Sequence, residues 1–355
     1  MKISRLERLR QELDKREVDA ILISHPENRF YLSGFSGSSG YLLITKEDAI
    51  LATDFRYLEQ AKKEAKGFEL FQVSGGAEEW LGKLISQASP KRLGFESGHL
   101  TYHLYRQLSE VITKFRPRPK LTPLEGVVES LRAIKEPEEL ELISKAVKLS
   151  DAALEYLKDI IHTGISEREL ALKLELFLRE QGSEKLPFEI IVASGPNSAM
   201  PHHKPSERRI ELQEPIIIDI GARVGGYVSD TTRTIYLGKQ DKRFSQIYDI
   251  VLGAQLGAIS IISQGMKGSE ADKIARAMIE EAGYASAFGH SLGHGIGLEA
   301  HEKPTLGPNS EEELKEGMVF TIEPGIYLSG WGGVRIEDVV VLREGRLEVI
   351  TKAQK

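Results

Sequence analysis

The second half of the sequence places acidic and imidazole side chains inside apolar or glycine-rich runs at four points. The first stretch, residues 216–230, carries Asp219 within a run of isoleucines and Asp230 shortly after the pair Gly225-Gly226. A Gly-Gly pair is typical of a hairpin turn, and a hairpin can bring the two carboxylates together. A carboxylate in an apolar strand is costly unless it is paired or bound to a metal. For either residue alone, a strand cap or a turn residue is the plain alternative.

Histidines are concentrated in a second stretch, residues 290–302. His290, His294 and His301 are three of the nine histidines of the chain, and glycines alternate with other residues around His294. Glycine at this frequency argues against a helix and lets the backbone and a substrate approach closely. A lone histidine here would more often be a packed core residue, but three so close together favour a site. A zinc ion with three histidine ligands is the alternative at this point.

Two further stretches place acids in strand-like apolar runs. Glu323 follows a short apolar run, and residues 333–341 carry Arg335, Glu337 and Asp338 among valines. Successive side chains of a strand point to opposite faces. Arg335 and Glu337 therefore share one face and Asp338 points to the other, which makes Asp338 the poorer ligand. The alternative for the first two is a row of solvent-facing salt bridges on an edge strand.

The four stretches together supply four carboxylates and one imidazole that suit a metal centre: Asp219, Asp230, His294, Glu323 and Glu337. Four crowded carboxylates repel one another and hold raised pKa values, whereas two divalent cations offset their charge. A donor set rich in oxygen with one imidazole favours Mn²⁺ or Co²⁺, with Zn²⁺ or Fe²⁺ as alternatives. Two such metals about 3.5–4 Å apart can share and deprotonate one water and polarise a carbonyl, which is hydrolytic chemistry.

Composition excludes several other kinds of function. The net charge of −6 and the lack of a basic patch with interleaved aromatic residues argue against nucleic-acid binding. With no cysteine, the chain has no disulfide, no thiolate zinc site and no cysteine nucleophile. We see no apolar run of the roughly 20 residues that span a membrane. The N-terminus resembles an amphipathic helix rather than a signal core, so we expect a cytoplasmic protein.

The elements that must position these side chains divide into two regions. A chain of 355 residues predicts two domains. Residues 1–124 alternate helix and strand patterns, which is typical of an α/β domain. Helical spacing covers residues 6–16, 54–66 and 77–87, and short apolar strands cover 20–23, 41–44 and 49–52. Residues 115–123 hold three prolines and are interpreted as an extended connector.

The second region mixes longer helices with strands. Pro137 followed by two glutamates has the pattern of a helix start. The sequence predicts helices near 138–160, 166–181, 243–264 and 269–283, and strands at 189–193, 215–221, 227–237, 318–323 and 334–342.

The order of these motifs resembles the pita-bread metallopeptidases, which comprise methionine aminopeptidases, Xaa-Pro aminopeptidases and prolidases. An aspartate, a second aspartate eleven positions on, His-Gly-Ile-Gly, Glu-Pro-Gly and Arg-Ile-Glu-Asp follow one another as in that family, over roughly residues 135–345. The resemblance implies an α/β creatinase-like N-terminal domain (1–124) followed by an α+β pita-bread catalytic domain of creatinase/aminopeptidase type (125–355).

The same resemblance assigns the metal ligands individually. Asp219 would bind one metal, and His294 and Glu323 the other. Asp230 and Glu337 would bridge both metals. All five positions hold the expected residue type, so we do not favour the alternative of an inactive pita-bread protein that only binds peptides.

Three features favour the Xaa-Pro branch of the family. One is the additional N-terminal region, in which residues 29–40 (Arg-Phe-Tyr-Leu-Ser-Gly-Phe-Ser-Gly-Ser-Ser-Gly) are most similar to the creatinase-type domain. The others are His290 and Arg335, which the resemblance places in the pocket for the proline side of the substrate. Tyr327 also matches a substrate-pocket tyrosine of this branch, with a packing aromatic as its alternative.

The resemblance also implies catalytic roles outside the ligand set. His202 and His301 would donate hydrogen bonds to the substrate carbonyl or the developing oxyanion. Glu323 would move the proton to the proline nitrogen. The neighbouring His203 is interpreted as a solvated loop residue.

We therefore expect an Xaa-Pro aminopeptidase that depends on two metal ions and cleaves the bond before a proline in second position. An Xaa-Pro dipeptidase (prolidase) is the alternative. The resemblance further implies a homodimer whose N-terminal domain limits access to the site. Peptides or dipeptides with proline second are the expected substrates.

Overall fold

The computed structural model describes residues 3–355, which divide into two compact units that follow one another in sequence at Arg132 and Ala133. The helices of the first unit are α1 Arg5–Lys15, α2 Pro26–Ser33, α3 Leu58–Glu64, α4 Ala77–Ala88, α5 Tyr102–Ile112 and α6 Val127–Arg132. Its strands are β1 Ala20–Ile23, β2 Tyr41–Thr45, β3 Ala49–Thr53, β4 Glu69–Gln72, β5 Arg92–Glu96 and β6 Lys120–Leu124.

The strands of the first unit form one mixed sheet in the order β4-β3-β2-β1-β5-β6. The pairs β1–β2 and β2–β3 are antiparallel, whereas β3–β4, β1–β5 and β5–β6 are parallel. α4 and α5 bury Leu81, Leu84 and Leu108 against Leu22 and Leu93 of the sheet. This is an α/β domain, as the alternating sequence pattern predicted.

The interpretation of residues 115–123 as an extended connector is wrong for its last part. Lys120–Leu124 is strand β6, which pairs with β5 in parallel. Pro123 is compatible with this position because β6 lies at the edge of the sheet, where proline is tolerated.

The second unit contains four long helices and many short strands. The helices are α7 Pro137–Ile160, α8 Glu167–Glu180, α9 Lys242–Ile261 and α10 Gly268–Glu281. The strands are β7 Ile191–Ser194, β8 Pro215–Ile220, β9 Arg223–Val224, β10 Tyr227–Val228, β11 Thr231–Tyr236, β12 Gly293–Gly295, β13 Glu302–Leu306, β14 Val319–Ile322, β15 Gly325–Leu328, β16 Gly332–Arg335, β17 Asp338–Arg343 and β18 Arg346–Val349.

Two antiparallel sheets form the scaffold of this unit. One has the order β11-β8-β7 and the other the order β13-β12-β14-β17-β18, while β9–β10 and β15–β16 are separate hairpins. α7 and α8 cover the first sheet, where Leu170 and Leu174 pack with Ile216 and Ile218. α9 and α10 cover the second, where they share a core with Phe320.

Two predicted strands are interrupted near candidate ligands. The strand predicted at 227–237 is divided into β10 and β11, and the break contains Asp230. The strand predicted at 334–342 is divided into β16 and β17, and the break contains Glu337. Here the chain leaves the β15–β16 hairpin and joins the five-stranded sheet, because β16 pairs with β15 and β17 pairs with β14.

Within residues 3–355, α9 is the one helix long and apolar enough to cross a membrane by length and composition. One face of α9, which includes Phe244, Val251 and Ala258, is buried in the core that it shares with α10.

Candidate metal centre and active site

The first two candidate ligands come from neighbouring strands of the three-stranded sheet. Asp219 lies on β8 opposite Thr232 of β11, and Asp230 immediately precedes β11. The Gly225-Gly226 turn joins β9 to β10 with φ values of 57° and 84°, which glycine adopts without strain. The sequence thus predicted this hairpin correctly, and it returns the chain so that both carboxylates are buried in one region.

The remaining ligand candidates come from the second sheet and its junctions. His294 lies on β12, and its Nε2 is 3.2 Å from Oε1 of Glu323 and 3.7 Å from Oδ2 of Asp230. Ligand atoms of Asp230, His294 and Glu337 all lie within 4.8 Å of one another. The structure therefore brings four of the five predicted ligands into one cluster, and the fifth, Asp219, interacts with Asp230, Glu323 and Glu337 of that cluster.

The carboxylates of this cluster disturb one another's ionisation. Burial, followed by the charges of neighbouring carboxylates, raises the pKa of Asp230 and of Glu337 well above the ordinary values. Burial also raises the pKa of Asp219, against the opposing charge of Arg335. Burial would raise the pKa of Glu323 as well, but a hydrogen bond from His294 and the charge of that histidine lower it to about 2.

The arrangement fits two divalent cations. Oδ1 of Asp219 is buried and accepts no hydrogen bond, although the other oxygen of the same carboxylate is paired. Three carboxylates with raised pKa values in one buried cluster are the pattern expected where positive charge is needed. The four carboxylates supply hard oxygen donors and the imidazole supplies one nitrogen, a donor set that suits divalent cations.

Arg335 is the centre of a second set of contacts beside the carboxylates. Its side chain is 4% exposed, so it does not belong to a solvent-facing row of salt bridges. Nη2 is 2.6 Å from Oδ2 of Asp219, and Nε donates to Oγ1 of Thr232 at 3.1 Å. Nη1 donates to the hydroxyl of Tyr327 at 3.1 Å and to the carbonyl of Pro201 at 3.3 Å. Each guanidinium nitrogen therefore has a partner within the protein.

His290 extends this set of contacts through Tyr327. Nε2 of His290 lies 2.9 Å from the Tyr327 hydroxyl, and Nδ1 lies 2.8 Å from the carbonyl of Ser291. Burial lowers the pKa of His290 and raises the pKa of Tyr327 to about 12. At neutral pH the pocket thus presents a neutral imidazole and a neutral phenol beside a permanent guanidinium charge.

A helix behind the histidine segment fixes its backbone. Arg276 on α10 donates to the carbonyls of Phe288 and His290, each at 2.8 Å. Its partner Asp272 is 1% exposed and accepts the backbone N–H of Leu292 at 3.0 Å. Sequence reasoning missed both residues, because an Asp–Arg pair four positions apart on a helix is usually a surface ion pair.

His301 and His202 lie next to this group. The ring centroids of His301 and His294 are 4.0 Å apart, and burial, followed by the charge of His294, lowers the pKa of His301. His202 is exposed on the loop after β7, and its charge contributes to lowering the pKa of both His290 and His301. All the predicted substrate-pocket and catalytic histidines are therefore in one neighbourhood.

The interpretation of His203 as a solvated loop residue is wrong. Its Nε2 lies 2.8 Å from Oε2 of Glu167, and its side chain is 12% exposed. Glu167 begins α8 and is distant from His203 in sequence, so no local pattern indicated this contact. Asp338, by contrast, points away from the cluster as expected and binds Arg233, Gln255 and Lys355.

Fold and site together define a dinuclear-type metallohydrolase, and comparison with known proteins places the chain within that class. The chain belongs to metallopeptidase family M24, whose model matches residues 141–344; the creatinase/prolidase N-terminal domain matches residues 5–134. This confirms the family and the fold class predicted from the sequence motifs.

Similar proteins cover almost the whole chain. An Xaa-Pro dipeptidase from Pyrococcus furiosus is 39% identical over 99% of this chain and 98% of its own length. The structure of an Xaa-Pro dipeptidase from Bacillus anthracis matches with a TM-score of 0.95 and 43% identity, over 99% of this chain and 98% of that one. The structure of an X-Pro aminopeptidase from Thermotoga maritima matches with a TM-score of 0.90 and 37% identity, with the same coverage.

Proposed function

We propose that this chain is a metal-dependent exopeptidase that hydrolyses the peptide bond between an N-terminal residue and a following proline. The observation that carries the proposal is the convergence of three buried carboxylates, the partly buried Glu323 and His294 beside a buried Arg335. Similarity to dipeptidases and to an aminopeptidase that are both named for the Xaa-Pro bond supports the choice of substrate.

Two divalent cations would be held by the residues of the cluster: Asp219, Asp230, His294, Glu323 and Glu337. We propose Mn²⁺ or Co²⁺, with Zn²⁺ or Fe²⁺ as alternatives, because oxygen donors predominate. When bound, such cations lower the pKa of water and polarise the carbonyl that is attacked. The free α-amine of the substrate would meet the negative side of the cluster, which would favour substrates with a free N-terminus.

The histidines outside the ligand set would stabilise the charge that develops on the substrate. The pKa of His301 is lowered, which favours the neutral imidazole, and a neutral imidazole donates one N–H. We propose that His301 and His202 hydrogen bond to the scissile carbonyl and its developing oxyanion. We propose that Glu323, which lies beside His294, would accept a proton from the attacking water and pass it to the proline nitrogen.

The length of the substrate distinguishes two forms of this activity. Each nitrogen of Arg335 already has a partner within the protein, which favours an Xaa-Pro aminopeptidase over an enzyme that uses this guanidinium to bind a terminal proline carboxylate. The similarity to two Xaa-Pro dipeptidases favours the alternative of a prolidase. The pocket wall formed by His290, Tyr327 and Arg335 would hold the proline ring in both cases.

Hydrolysis of matched peptides tests both levels of the proposal. The metal-free protein, reloaded with Mn²⁺ or Co²⁺, would be assayed with an Xaa-Pro dipeptide, the corresponding Xaa-Pro-Xaa tripeptide and an Xaa-Ala control. Chelator-sensitive cleavage of the proline peptides alone is expected. Metal binding without cleavage of any peptide would favour a binding module. Cleavage of the dipeptide but not the tripeptide would replace the aminopeptidase with a prolidase.

We also propose a cytoplasmic homodimer in which the N-terminal domain restricts access to the site. The match of residues 5–134 to the creatinase/prolidase N-terminal domain supports this proposal. Light scattering at micromolar concentration should give twice the chain mass, and a monomer would refute the dimer.

A further inference from the structure

Glu167 is a buried carboxylate of the second unit that lies outside the candidate ligand set. It is the first residue of α8, with Ser166 as the N-cap, and it is 0% exposed. An acid at this position is ordinary, since the first turn of a helix favours negative charge. The contacts of its side chain are not ordinary, because every hydrogen-bond partner of the carboxylate comes from a single segment 27 to 39 residues further along the chain.

The two oxygens of Glu167 bind opposite ends of that segment. Oε1 accepts from the backbone N–H of Ser194 at 2.8 Å, from its hydroxyl at 2.7 Å and from the side-chain amide of Asn197 at 3.0 Å. Oε2 contacts Nε2 of His203 at 2.8 Å and accepts from the backbone N–H of Ser206 at 3.0 Å and its hydroxyl at 2.6 Å. One carboxylate therefore closes residues 194–206 into a loop.

The middle of this loop carries groups of the candidate active site. His202 lies between the two anchored ends, directly before the anchored His203. The carbonyl of Pro201 accepts from Arg335, and Oγ of Ser198 accepts from the backbone N–H of Gly333 at 2.8 Å. The loop thus contacts the β15–β16 hairpin at two points, while His202 itself remains exposed.

Both oxygens of the Glu167 carboxylate must accept hydrogen bonds in order to hold the two ends of the loop. Burial would raise the pKa of Glu167, but hydrogen bonds from Ser206, Asn197 and Ser194 lower it below the ordinary value. The carboxylate is therefore charged at neutral pH and acts only as an acceptor. Glutamine has nearly the same shape, yet its amide nitrogen would face N–H donors at one end of the loop.

We propose that Glu167 is a positioning residue for the hydrolysis of the Xaa-Pro bond, which acts by holding the 194–206 loop so that His202 stays in place. The inference rests on the proposed function for its effect on turnover, whereas its effect on the loop is independent of it. A displacement of about 1 Å of a group that stabilises the transition state can cost on the order of 100-fold in rate.

A double-mutant cycle distinguishes positioning from a general structural role. Glu167→Gln should lower kcat about 30- to 100-fold with KM changed less than about threefold. In a His202→Ala background the same substitution should have an effect of less than about threefold, because the group it positions is already gone. An equal effect of Glu167→Gln in both backgrounds would overturn the proposal.

Glu207→Gln is the matched control. Glu207 belongs to the same part of the chain and is exposed, with Arg168 as its surface partner. Its loss should leave kcat and KM unchanged. If Glu167→Gln does not fold, Ser206→Ala and His203→Ala each remove one contact to the same oxygen of Glu167 and should lower kcat by smaller factors, again only when His202 is present. Wild-type kinetics in both would overturn the proposal.

Amide hydrogen exchange provides a readout that needs no turnover. Peptides covering residues 195–205 should exchange at least about tenfold faster in Glu167→Gln than in the wild type or Glu207→Gln, while peptides covering 215–236 should not change. Unchanged exchange in the loop would overturn the proposal whatever the enzyme cleaves. A wild type that fails to cleave Xaa-Pro peptides, together with faster exchange in the variant, would instead overturn the proposed function alone.

Discussion

Two groups of buried carboxylates in the second unit are in opposite environments. In the ligand cluster, Asp230 and Glu337 face other carboxylates, and Oδ1 of Asp219 is buried with no hydrogen bond. At the start of α8, Glu167 is surrounded by donors on both oxygens. The pKa of Glu167 is lowered, whereas the pKa values of Asp219, Asp230 and Glu337 are raised.

The difference separates two uses of buried negative charge. A carboxylate satisfied by protein donors fixes the backbone that supplies those donors, and it needs nothing from outside. A group of carboxylates that cannot hydrogen bond to one another destabilises the folded state, and a bound cation offsets this destabilisation. The first kind indicates structure and the second indicates a binding site, although both lie in apolar surroundings.

Removal of a ligand carboxylate should have the largest effect on activity. Asp219→Asn or Glu337→Gln is expected to lower kcat/KM by about 10³-fold or more, since metal-based stabilisation worth several kcal/mol is lost. Elemental analysis should show less than the full metal content, with a circular dichroism spectrum like that of the wild type. Near-normal turnover with full metal content would contradict the assignment of the cluster.

Loss of Arg335 should have the next largest effect. Arg335→Ala is expected to lower kcat/KM about 30- to 150-fold, the value of a charge-assisted hydrogen-bond pair of 2–3 kcal/mol. Because the guanidinium binds Asp219, Tyr327 and Pro201, Xaa-Pro dipeptides and Xaa-Pro-Xaa tripeptides should be affected about equally. A loss confined to dipeptides would show that Arg335 binds the terminal carboxylate.

The hydrogen-bonded carboxylate of Glu167 should stabilise the folded protein, and this stabilisation should depend on pH. Glu167→Gln is expected to lower the free energy of unfolding by about 2–3 kcal/mol at pH 7, because buried donors lose a charged acceptor. The pKa of Glu167 is lowered from 4.5 in the folded state, so its stabilisation is complete above that value and is lost as the pH falls through the lower folded pKa. Urea unfolding of both proteins should therefore converge on acidification below about pH 4.

Glu207→Gln again serves as the comparison for that experiment. This exposed carboxylate should change the free energy of unfolding by no more than about 0.5 kcal/mol at any of these pH values. A loss of stability similar to that of Glu167→Gln would mean that the buried hydrogen bonds of Glu167 are not its source.

A substitution in the cluster of candidate ligands should change the free energy of unfolding in the opposite direction, and by the smallest amount. In the metal-free protein, Asp230→Asn is expected to raise stability, on the order of 1 kcal/mol, because one of several mutually repelling charges is removed. In the presence of excess Mn²⁺ or Co²⁺ the same variant should be less stable than the wild type, since the cations stabilise only an intact site. Thermal unfolding with chelator and with metal measures both. Destabilisation under both conditions would indicate that Asp230 is structural.

The sequence predicted that the candidate ligands would lie together because most of them break a local rule. An acid among isoleucines or valines is conspicuous, and the spacing of Asp219 and Asp230 about a Gly-Gly turn is local information. The shared face of Arg335 and Glu337 was predicted from an unbroken strand, and the strand ends between them. Both side chains nevertheless contact Oγ1 of Thr232, so the conclusion holds although the element differs.

The sequence could not predict contacts whose partners are distant and individually ordinary. Glu167 has the pattern of a helix start, and His203 that of a polar loop residue. Only the tertiary fold brings them within 2.8 Å. Residues 120–124 were mistaken for a connector because prolines dominate the segment, while the edge position that accommodates Pro123 depends on the pairing of the whole sheet.

The glycines around His294 bear on how the substrate range of this enzyme could be altered. A Cβ on Gly293 would lie 2.0 Å from the carbonyl oxygen of Thr321, and one on Gly295 would lie 2.1 Å from that of Lys303. Libraries that randomise these positions would mostly yield misfolded variants, since strand β12 is wedged between two neighbours with no space for a side chain. Diversity is better introduced at Met200, which is exposed and lies two residues before His202 in the 194–206 loop, because a new side chain there displaces no strand.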